Sequence, residues 1–302
     1  MNKEPISAIA RAVGCSRSTI YREIRRNLHG AEYHRYYTVA KAQSKANRRR
    51  RIPRKGSSLT QAEWRVVEHL IKKDLSPQQV SNVLKRDHGI SISHESIYQY
   101  IYKDMRAGGT LYNHLRHRFR KARKRYRRKD RRCKLTGKRM IAERPEHINA
   151  RKDIGHWEID TVLGKGSKSC LVTMVERKSR FVAIGRLTAR TVECLNAKVI
   201  EMIKDMNIPV HTITSDNGTE FHGYKAIEEA TGTVFYFANP HHSWERGTNE
   251  NTNGLIRQYL PKGKSMRWVS QKTCNQIAYK LNTRPRKMHD YWPPLKIILE
   301  AA

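Results

Sequence analysis

The chain has 302 residues, a length that suggests two or three domains, and 61 lysines and arginines against 27 acids give a net charge of +34. So large a positive charge indicates a polyanionic partner, of which DNA or RNA is the simplest. No apolar run approaches the roughly 18 residues of a membrane span, and no signal segment begins the chain, so we expect a cytoplasmic, nucleoid-associated protein with no membrane partner. The five cysteines stand singly, so we expect neither a zinc site nor a disulfide framework.

The first segment, residues 1–56, has the pattern of two helices joined by a glycine turn. Residues 6–13 form the first helix and Ser16 can cap the second, with Gly14 at the turn. This spacing is typical of a helix-turn-helix, although a plain helical hairpin is an alternative. The side chains placed to face a DNA major groove are those of Arg17, Ser18, Tyr21 and Arg22. Residues 32–55 lose apolar periodicity and become strongly basic, which predicts a linker that follows DNA phosphates or is merely solvated.

A second helical domain is predicted over residues 57–110. Ser76, Pro77 and Gln79 form the start of one helix with a capping box, and Ser93 begins the next. The pattern repeats that of the first segment with a longer turn, so a second helix-turn-helix and a purely structural three-helix unit are both open.

A basic segment over residues 111–150 separates this domain from the rest. Between Arg116 and Lys134, thirteen of nineteen residues are lysine or arginine. Such a density of charge cannot bury a core, so we expect the run to follow DNA, although a nuclear-import signal has the same composition.

The remaining residues, 151–302, alternate between strand and helix patterns. The predicted strands are 158–162, 170–175, 181–187, 210–214 and 234–237, and the predicted helices between them are 191–206 and 224–230. The order is three strands, helix, strand, helix, strand, followed by a further helix near residue 250.

Three acids in this region are placed for metal chemistry. Asp160 and Asp216 each stand at the end of a predicted strand, and Glu250 lies in the first turn of a helix that Thr248 or Asn249 can cap. Hard divalent cations prefer oxygen ligands, so carboxylates from two strand ends and one helix can converge on such ions. Glu245, five residues before Glu250, is expected to lie in the preceding loop. Ordinary helix caps and solvated surface acids are the alternative.

Several segments of the sequence resemble those of the insertion-sequence-family-30 transposases. They are residues 155–160, 175–180, 244–263 and 281–287. The resemblance implies an α/β ribonuclease-H-like catalytic domain with a mixed five-stranded sheet and helices, preceded by an all-α helix-turn-helix DNA-binding region.

The same resemblance implies roles for particular residues. Asp160, Asp216 and Glu250 would be both catalytic and metal-binding, with Mg²⁺ or its substitute Mn²⁺ as cofactor. The partners would be double-stranded DNA, as terminal inverted repeats and as target, and further copies of the chain in a homo-oligomer. Arg257 and Lys264 would contact DNA, and Glu158, which shares a strand face with Asp160, would support the site.

Two departures from the family keep other functions open. Related transposases carry a further helix before residue 6, so the first module could be truncated, and they continue differently after residue 287. A catalytically inactive DNA-binding repressor or a decayed transposase copy is therefore the alternative to an active transposase. A hydrolytic nuclease of the same fold is a third possibility.

Overall fold

The computed structural model describes residues 4–27, 37–51, 59–116, 137–166, 169–240 and 242–301. The chain forms two compact units, Met1–Thr60 and Gln61–Ala302. Within the described ranges, no helix has both the length and the apolar character needed to cross a membrane. The basic run predicted to follow DNA lies outside these ranges, apart from Arg116.

The first unit contains three helices: α1 (Ile6–Val13), α2 (Arg17–Asn27) and α3 (Val39–Arg51). Gly14 has a φ of 69°, which the turn between α1 and α2 requires, and Ser16 Oγ accepts a hydrogen bond from the Thr19 N–H at 3.2 Å. The predicted pair of helices is confirmed.

The segment predicted as a linker contains helix α3, which periodicity did not indicate. Lys45 Nζ donates to the Asn27 carbonyl oxygen at 2.7 Å, and Ala42 is buried. The helix therefore forms because its lysine, arginine and alanine residues favour helix and because it docks on the end of α2.

The second unit begins with α4 (Gln61–Lys72), α5 (Pro77–His88) and α6 (His94–Arg106). The predicted capping box of Ser76 and Gln79 is present. These helices contact the end of the chain, since Gln79 Nε2 donates to the Pro285 carbonyl at 2.6 Å and Arg86 Nη1 to the Tyr291 carbonyl at 2.6 Å. The second helical block is thus packed against the sheet-containing part of its unit.

A five-stranded mixed sheet forms the centre of the second unit. Its strands are β1 (His156–Leu163), β2 (Cys170–Glu176), β3 (Val182–Leu187), β4 (Thr212–Ser215) and β5 (Val234–Phe237), in the spatial order β3-β2-β1-β4-β5. The β1–β2 and β2–β3 pairs are antiparallel, whereas β1–β4 and β4–β5 are parallel. The predicted strand order along the chain and the predicted fold class are confirmed.

Helices cover both faces of the sheet. The short α7 (Glu146–Asn149) precedes β1, α8 (Val192–Asp205) and α9 (Tyr224–Thr231) pack on one face, and α10 (Gly247–Tyr259) and α11 (Gln271–Asn282) pack on the other, before α12 (Pro294–Leu299). Because side chains alternate along β1, Trp157 and Ile159 enter the α8–α9 core, and Val162 enters the α10–α11 core. Glu158 and Asp160 share the face of Val162 and so point toward α10.

A buried histidine at the start of β1 makes stability depend on pH. Burial, followed by the nearby His211 and His147, lowers the pKa of His156 from 6.5 to about 4. Between pH 6.5 and 4, His156 is therefore protonated in the unfolded chain and neutral in the folded one. The free energy of unfolding is thus highest above pH 6.5 and falls as the pH decreases through that window.

We expect the free energy of unfolding to fall by about 2 kcal/mol between pH 7 and 5 because of this group alone. Denaturant unfolding of the parent and of His156→Asn at several pH values measures the effect, with exposed His94→Asn as the control. An equal pH dependence in parent and His156→Asn proteins would contradict the assignment.

Candidate active site

The parallel pairing of β1 with β4 brings the two predicted aspartates together. His156 pairs with Thr212 and Glu158 with Thr214, so the same register continued by two residues sets Asp160 beside Asp216. Asp216 follows the end of β4 as predicted. Asp160 does not end its strand, because β1 continues to Leu163 in the antiparallel ladder with β2.

One cation lies between the two carboxylates. Arg246 Nη1 is 3.7 Å from Asp160 Oδ1, and its Nη2 is 3.3 Å from Asp216 Oδ2. The Arg246 Nε is buried and has no hydrogen-bond partner within the described ranges. The guanidinium therefore offsets only one of the two negative charges, and its Nε–H donor is not used.

Hydrogen bonds fix the orientation of both aspartates. Asn253 Nδ2 donates to Asp160 Oδ2 at 2.8 Å, and the Thr161 N–H donates to Asp160 Oδ1 at 2.9 Å. The Gly218 N–H donates to Asp216 Oδ1 at 2.9 Å. Burial raises the pKa of Asp160 to about 6 even though Arg246 acts in the opposite direction. A partly buried pair of like charges of this kind is stabilised by a bound cation.

Glu250 follows Asp216 by 34 residues in the chain and, among the described residues, forms no hydrogen bond or ion pair with either aspartate. It lies in the first turn of α10, as predicted, and its side chain is exposed to solvent. Across the described residues, no three histidine, cysteine, aspartate or glutamate side chains are grouped closely enough to hold a metal ion. By helical periodicity, Glu250 shares a face of α10 with Asn253 and Arg257, so the helix presents it on the side that faces Asp160.

The start of α10 is held by the sheet and not by its own cap. The predicted caps Thr248 and Asn249 lie inside the helix, and Arg246 at the N-cap position makes no capping hydrogen bond with its side chain. Instead the Asn249 N–H donates to Glu158 Oε2 at 3.0 Å. Arg180 also donates to Thr248 Oγ1. A carboxylate from β1 therefore satisfies an N–H group that a local cap would have satisfied.

Glu158 is fully buried, and besides capping α10 it forms an ion pair with Arg177. Arg177 Nε donates to its Oε1 at 3.3 Å, and both side chains are at most 5% exposed. The pair links β1, the end of β2 and α10 at the level of Glu250. The sequence pattern placed Glu158 on the correct strand face, but nothing local indicated its partner in α10.

Glu245 has a structural role that separates it from Glu250. Its Oε2 accepts from the Asn239 N–H at 2.7 Å, and its Oε1 accepts from Asn239 Nδ2 at 2.9 Å and lies 3.1 Å from His242 Nδ1. Although burial acts to raise it, the pKa of Glu245 is lowered by these hydrogen bonds. Glu245 thus holds the loop after β5 and lies before α10, as predicted.

A second buried acid supports the loop that carries Asp216. Glu220 accepts hydrogen bonds from Arg190 Nε and Nη2 at 2.9 and 2.7 Å, and from Thr161 Oγ1 at 2.8 Å. These bonds tie the residues after Asp216 to β1 beside Asp160. Sequence reasoning missed Glu220 and Arg190, as it missed Arg246 and Asn253. Asn253 could have been found, because it lies one turn after Glu250 on the same face of α10.

The predicted DNA-contacting residues lie in separate places. Arg17, Ser18, Tyr21 and Arg22 are all exposed on α2 of the first unit. In the second unit, Arg257 Nη2 donates to the Leu163 carbonyl at 2.9 Å, so this side chain also holds the end of β1. Lys264 is exposed in the segment after α10, where its carbonyl accepts from the Lys165 N–H at 3.0 Å.

The aspartate pair fits a divalent metal by its chemistry. Mg²⁺ is commonly held by one or two carboxylates together with substrate phosphates, and Asp160 and Asp216 supply two carboxylates around one guanidinium, which leaves the pair with a net negative charge. Glu250 offers further carboxylate oxygen atoms from the first turn of the adjacent helix α10. The donor set is therefore that of a hard divalent cation and not of zinc.

Known proteins match this chain in both units. Residues 150–243 match the integrase core domain, and residues 2–27 match a helix-turn-helix domain. The transposase for insertion sequence element IS4351 of Bacteroides fragilis is 39% identical over 95% of this chain and 87% of its own length. The transposase InsI for insertion sequence element IS30A of Escherichia coli (strain K12) is 36% identical over 98% of this chain and 79% of its own.

Two further similarities complete the comparison. The transposase for insertion sequence element IS1086 of Cupriavidus metallidurans is 36% identical over 98% of this chain and 89% of its own length. Among solved structures, the catalytic core domain of BIV integrase is 17% identical with a TM-score of 0.38, over 49% of this chain and 95% of that one. From the extent of its identity to these transposases, the chain belongs to the IS30 family of insertion-sequence transposases, DNA-binding polynucleotidyl transferases with an integrase core.

Proposed function

We propose that this transposase cuts DNA at the terminal inverted repeats of its insertion sequence and joins the freed 3′ ends to target DNA, with Asp160, Asp216 and Glu250 as catalytic residues. The observation that carries the proposal is the register of β1 and β4, which sets two carboxylates side by side around one cation. Two unrelated surface acids would have no reason to be held by backbone N–H groups and to share a buried guanidinium.

The cofactor in this proposal is Mg²⁺, with Mn²⁺ as a substitute, held by Asp160, Asp216 and Glu250. When bound, the metal ions activate the attacking oxygen and stabilise charge on the leaving 3′-oxygen. Asn253 keeps one Asp160 oxygen oriented, and Glu158 fixes the first turn of α10, the turn that carries Glu250. Arg246 has a planar guanidinium that suits a DNA phosphate once the aspartates are otherwise neutralised.

DNA recognition is proposed to come from both units. The exposed face of α2 would contact the major groove of the terminal repeats, and Arg257 and Lys264 would contact phosphates near the cut. Two ends and a target must meet, so a homo-oligomer is part of the proposal, as is association with the nucleoid. We retain four domains, 1–56, 57–110, 111–150 and 151–302, as the proposed division of these roles.

A direct experiment distinguishes this function from its alternatives. The full chain is incubated with Mg²⁺ and a labelled plasmid that carries the parent element, and the DNA is examined for cut ends and joined products. An active transposase gives both, and a hydrolytic nuclease gives cut ends alone. A repressor or decayed copy binds the repeats and gives neither, which would overturn the proposal.

A further inference from the structure

An exposed tryptophan lies in a basic loop between α10 and α11. The Trp268 side chain is 63% exposed, whereas its neighbours Met266 and Val269 are 2% and 1% exposed. The Val269 N–H donates to the Met266 carbonyl at 3.1 Å, which closes a turn with Arg267 and Trp268 at its tip. The loop is therefore anchored on both sides of a large aromatic ring that it holds in solvent.

The loop is also fixed to the hairpin that follows β1. The Lys165 N–H donates to the Lys264 carbonyl at 3.0 Å. A Cβ atom at Gly164 would lie 2.9 Å from Met266 Cγ and 3.0 Å from its backbone nitrogen, so the two segments are in close contact. A mobile loop could expose a tryptophan incidentally, but this one is held by two buried side chains and a second segment.

The charge around Trp268 is uniformly positive. Lys165, Lys262, Lys264 and Arg267 are all exposed. The two segments, 164–166 and 261–270, contain no acidic residue. An aromatic ring among exposed cations is the arrangement that binds single-stranded nucleic acid, in which cations hold phosphates and the ring stacks on a base.

The position of this surface relative to the aspartates suits the same DNA strand. Lys165 lies five residues beyond Asp160 along β1 and its hairpin, about 16 Å at the rise of an extended chain. That span corresponds to about five nucleotides of duplex at 3.4 Å each. A strand cut at the aspartates can therefore reach Lys165, whose N–H contacts the loop that carries Trp268, within about five nucleotides of the cut.

We propose that Lys165 and the loop Pro261–Ser270 form a DNA-binding platform on which Trp268 stacks an unpaired base next to the site of cleavage. The proposal rests on the proposed function for the identity of the DNA. An unpaired base is favoured over duplex because both faces of a paired base are already stacked on its neighbours. A second copy of this chain is a poorer occupant of this basic surface, since each copy has a net charge of +34 and the proposed homo-oligomer forms on DNA, which offsets that charge.

Binding of the full chain to labelled DNA in EDTA tests this without any requirement for catalysis. Two probes are compared by fluorescence anisotropy: a fully paired duplex and the same duplex with one end unpaired. Trp268→Ala should weaken binding of the unpaired-end probe by about 10-fold and that of the paired probe far less, while Trp268→Phe should retain most of the affinity. Tyr279, 65% exposed on α11, provides the matched control as Tyr279→Ala, which should bind like the parent.

Other outcomes overturn the proposal. Affinity of Trp268→Ala within twofold of the parent on the unpaired-end probe would remove the stacking role. An equal loss on both probes would show a groove contact, and a change of oligomeric state in sedimentation without a change in binding would assign the tryptophan to a protein interface. Because EDTA removes metal-dependent chemistry, an inactive metal site leaves this result unaffected, and loss of the platform leaves the metal site testable.

The basic side chains give an independent measurement. The triple change Lys262→Gln, Lys264→Gln and Arg267→Gln should weaken both probes. It should also lower the slope of log affinity against log salt by about 0.9 for each duplex phosphate contact that is lost. An unchanged slope would show that these cations do not touch DNA.

Discussion

Replacing either Asp160 or Asp216 by asparagine should reduce metal-dependent DNA cleavage by at least about 10³-fold, because each change removes the charge of a proposed metal ligand, and metal ions stabilise the charge of the transition state by several kcal/mol. Binding of the terminal repeats should stay close to that of the parent, since the DNA-contacting side chains lie elsewhere. The fold should also persist, because the two side chains are 25% and 31% exposed and are not part of either core.

Cleavage of end-labelled repeat DNA and anisotropy on the same DNA measure the two quantities side by side. Asp205→Asn, at the end of α8 and outside the site, provides a control for loss of one negative charge. Cutting by Asp160→Asn or Asp216→Asn within tenfold of the parent would remove that residue from the catalytic set.

Glu250→Gln should likewise eliminate Mg²⁺-dependent cleavage, although Glu250 makes no contact with the aspartates in this structure. The reason is its position: it is exposed on the face of α10 that carries Asn253, and Asn253 already bonds Asp160 at 2.8 Å. A side chain one turn earlier on that face can reach the same pair. Since Glu250 packs against nothing that the fold requires, its replacement should leave thermal stability unchanged.

Glu245→Gln is the matched comparison, because it makes the same substitution in the segment that precedes α10. We expect only a modest loss of cleavage, together with a lower melting temperature, because Glu245 accepts from both the backbone and side chain of Asn239. If the Glu245 variant were inactive and the Glu250 variant active, the third ligand would have to be reassigned.

The strands of the sheet could be predicted from the sequence because each is indicated by the pattern of its own residues. Alternation and short apolar runs located all five strands, and a stripe of Leu195, Val199 and Met202 located α8. Errors arose where a distant partner decided the structure. β1 covers residues 156–163, longer than the predicted 158–162, because β2 pairs with it from Trp157 to Leu163, and α3 forms where it can dock on Asn27.

The same distinction applies to the site. Asp160, Asp216 and Glu250 could be predicted from the strands and helix in which they lie and from the surrounding segments that resemble the family. The cation between the aspartates could not, since Arg246 precedes its helix and is 86 residues from Asp160 in sequence. The cap of α10 was also beyond sequence reasoning, because it comes from Glu158, 91 residues before the N–H that it accepts.

The most direct test of the central claim is to count the divalent ions that the aspartates hold. Electron paramagnetic resonance of Mn²⁺, titrated into the full chain with bound repeat DNA, reports free and bound metal separately. The parent should bind Mn²⁺ that the double variant Asp160→Asn, Asp216→Asn does not, and Glu245→Gln should bind as the parent does. Equal binding of Mn²⁺ by the parent and the double variant would contradict the claim that these two aspartates form the metal site.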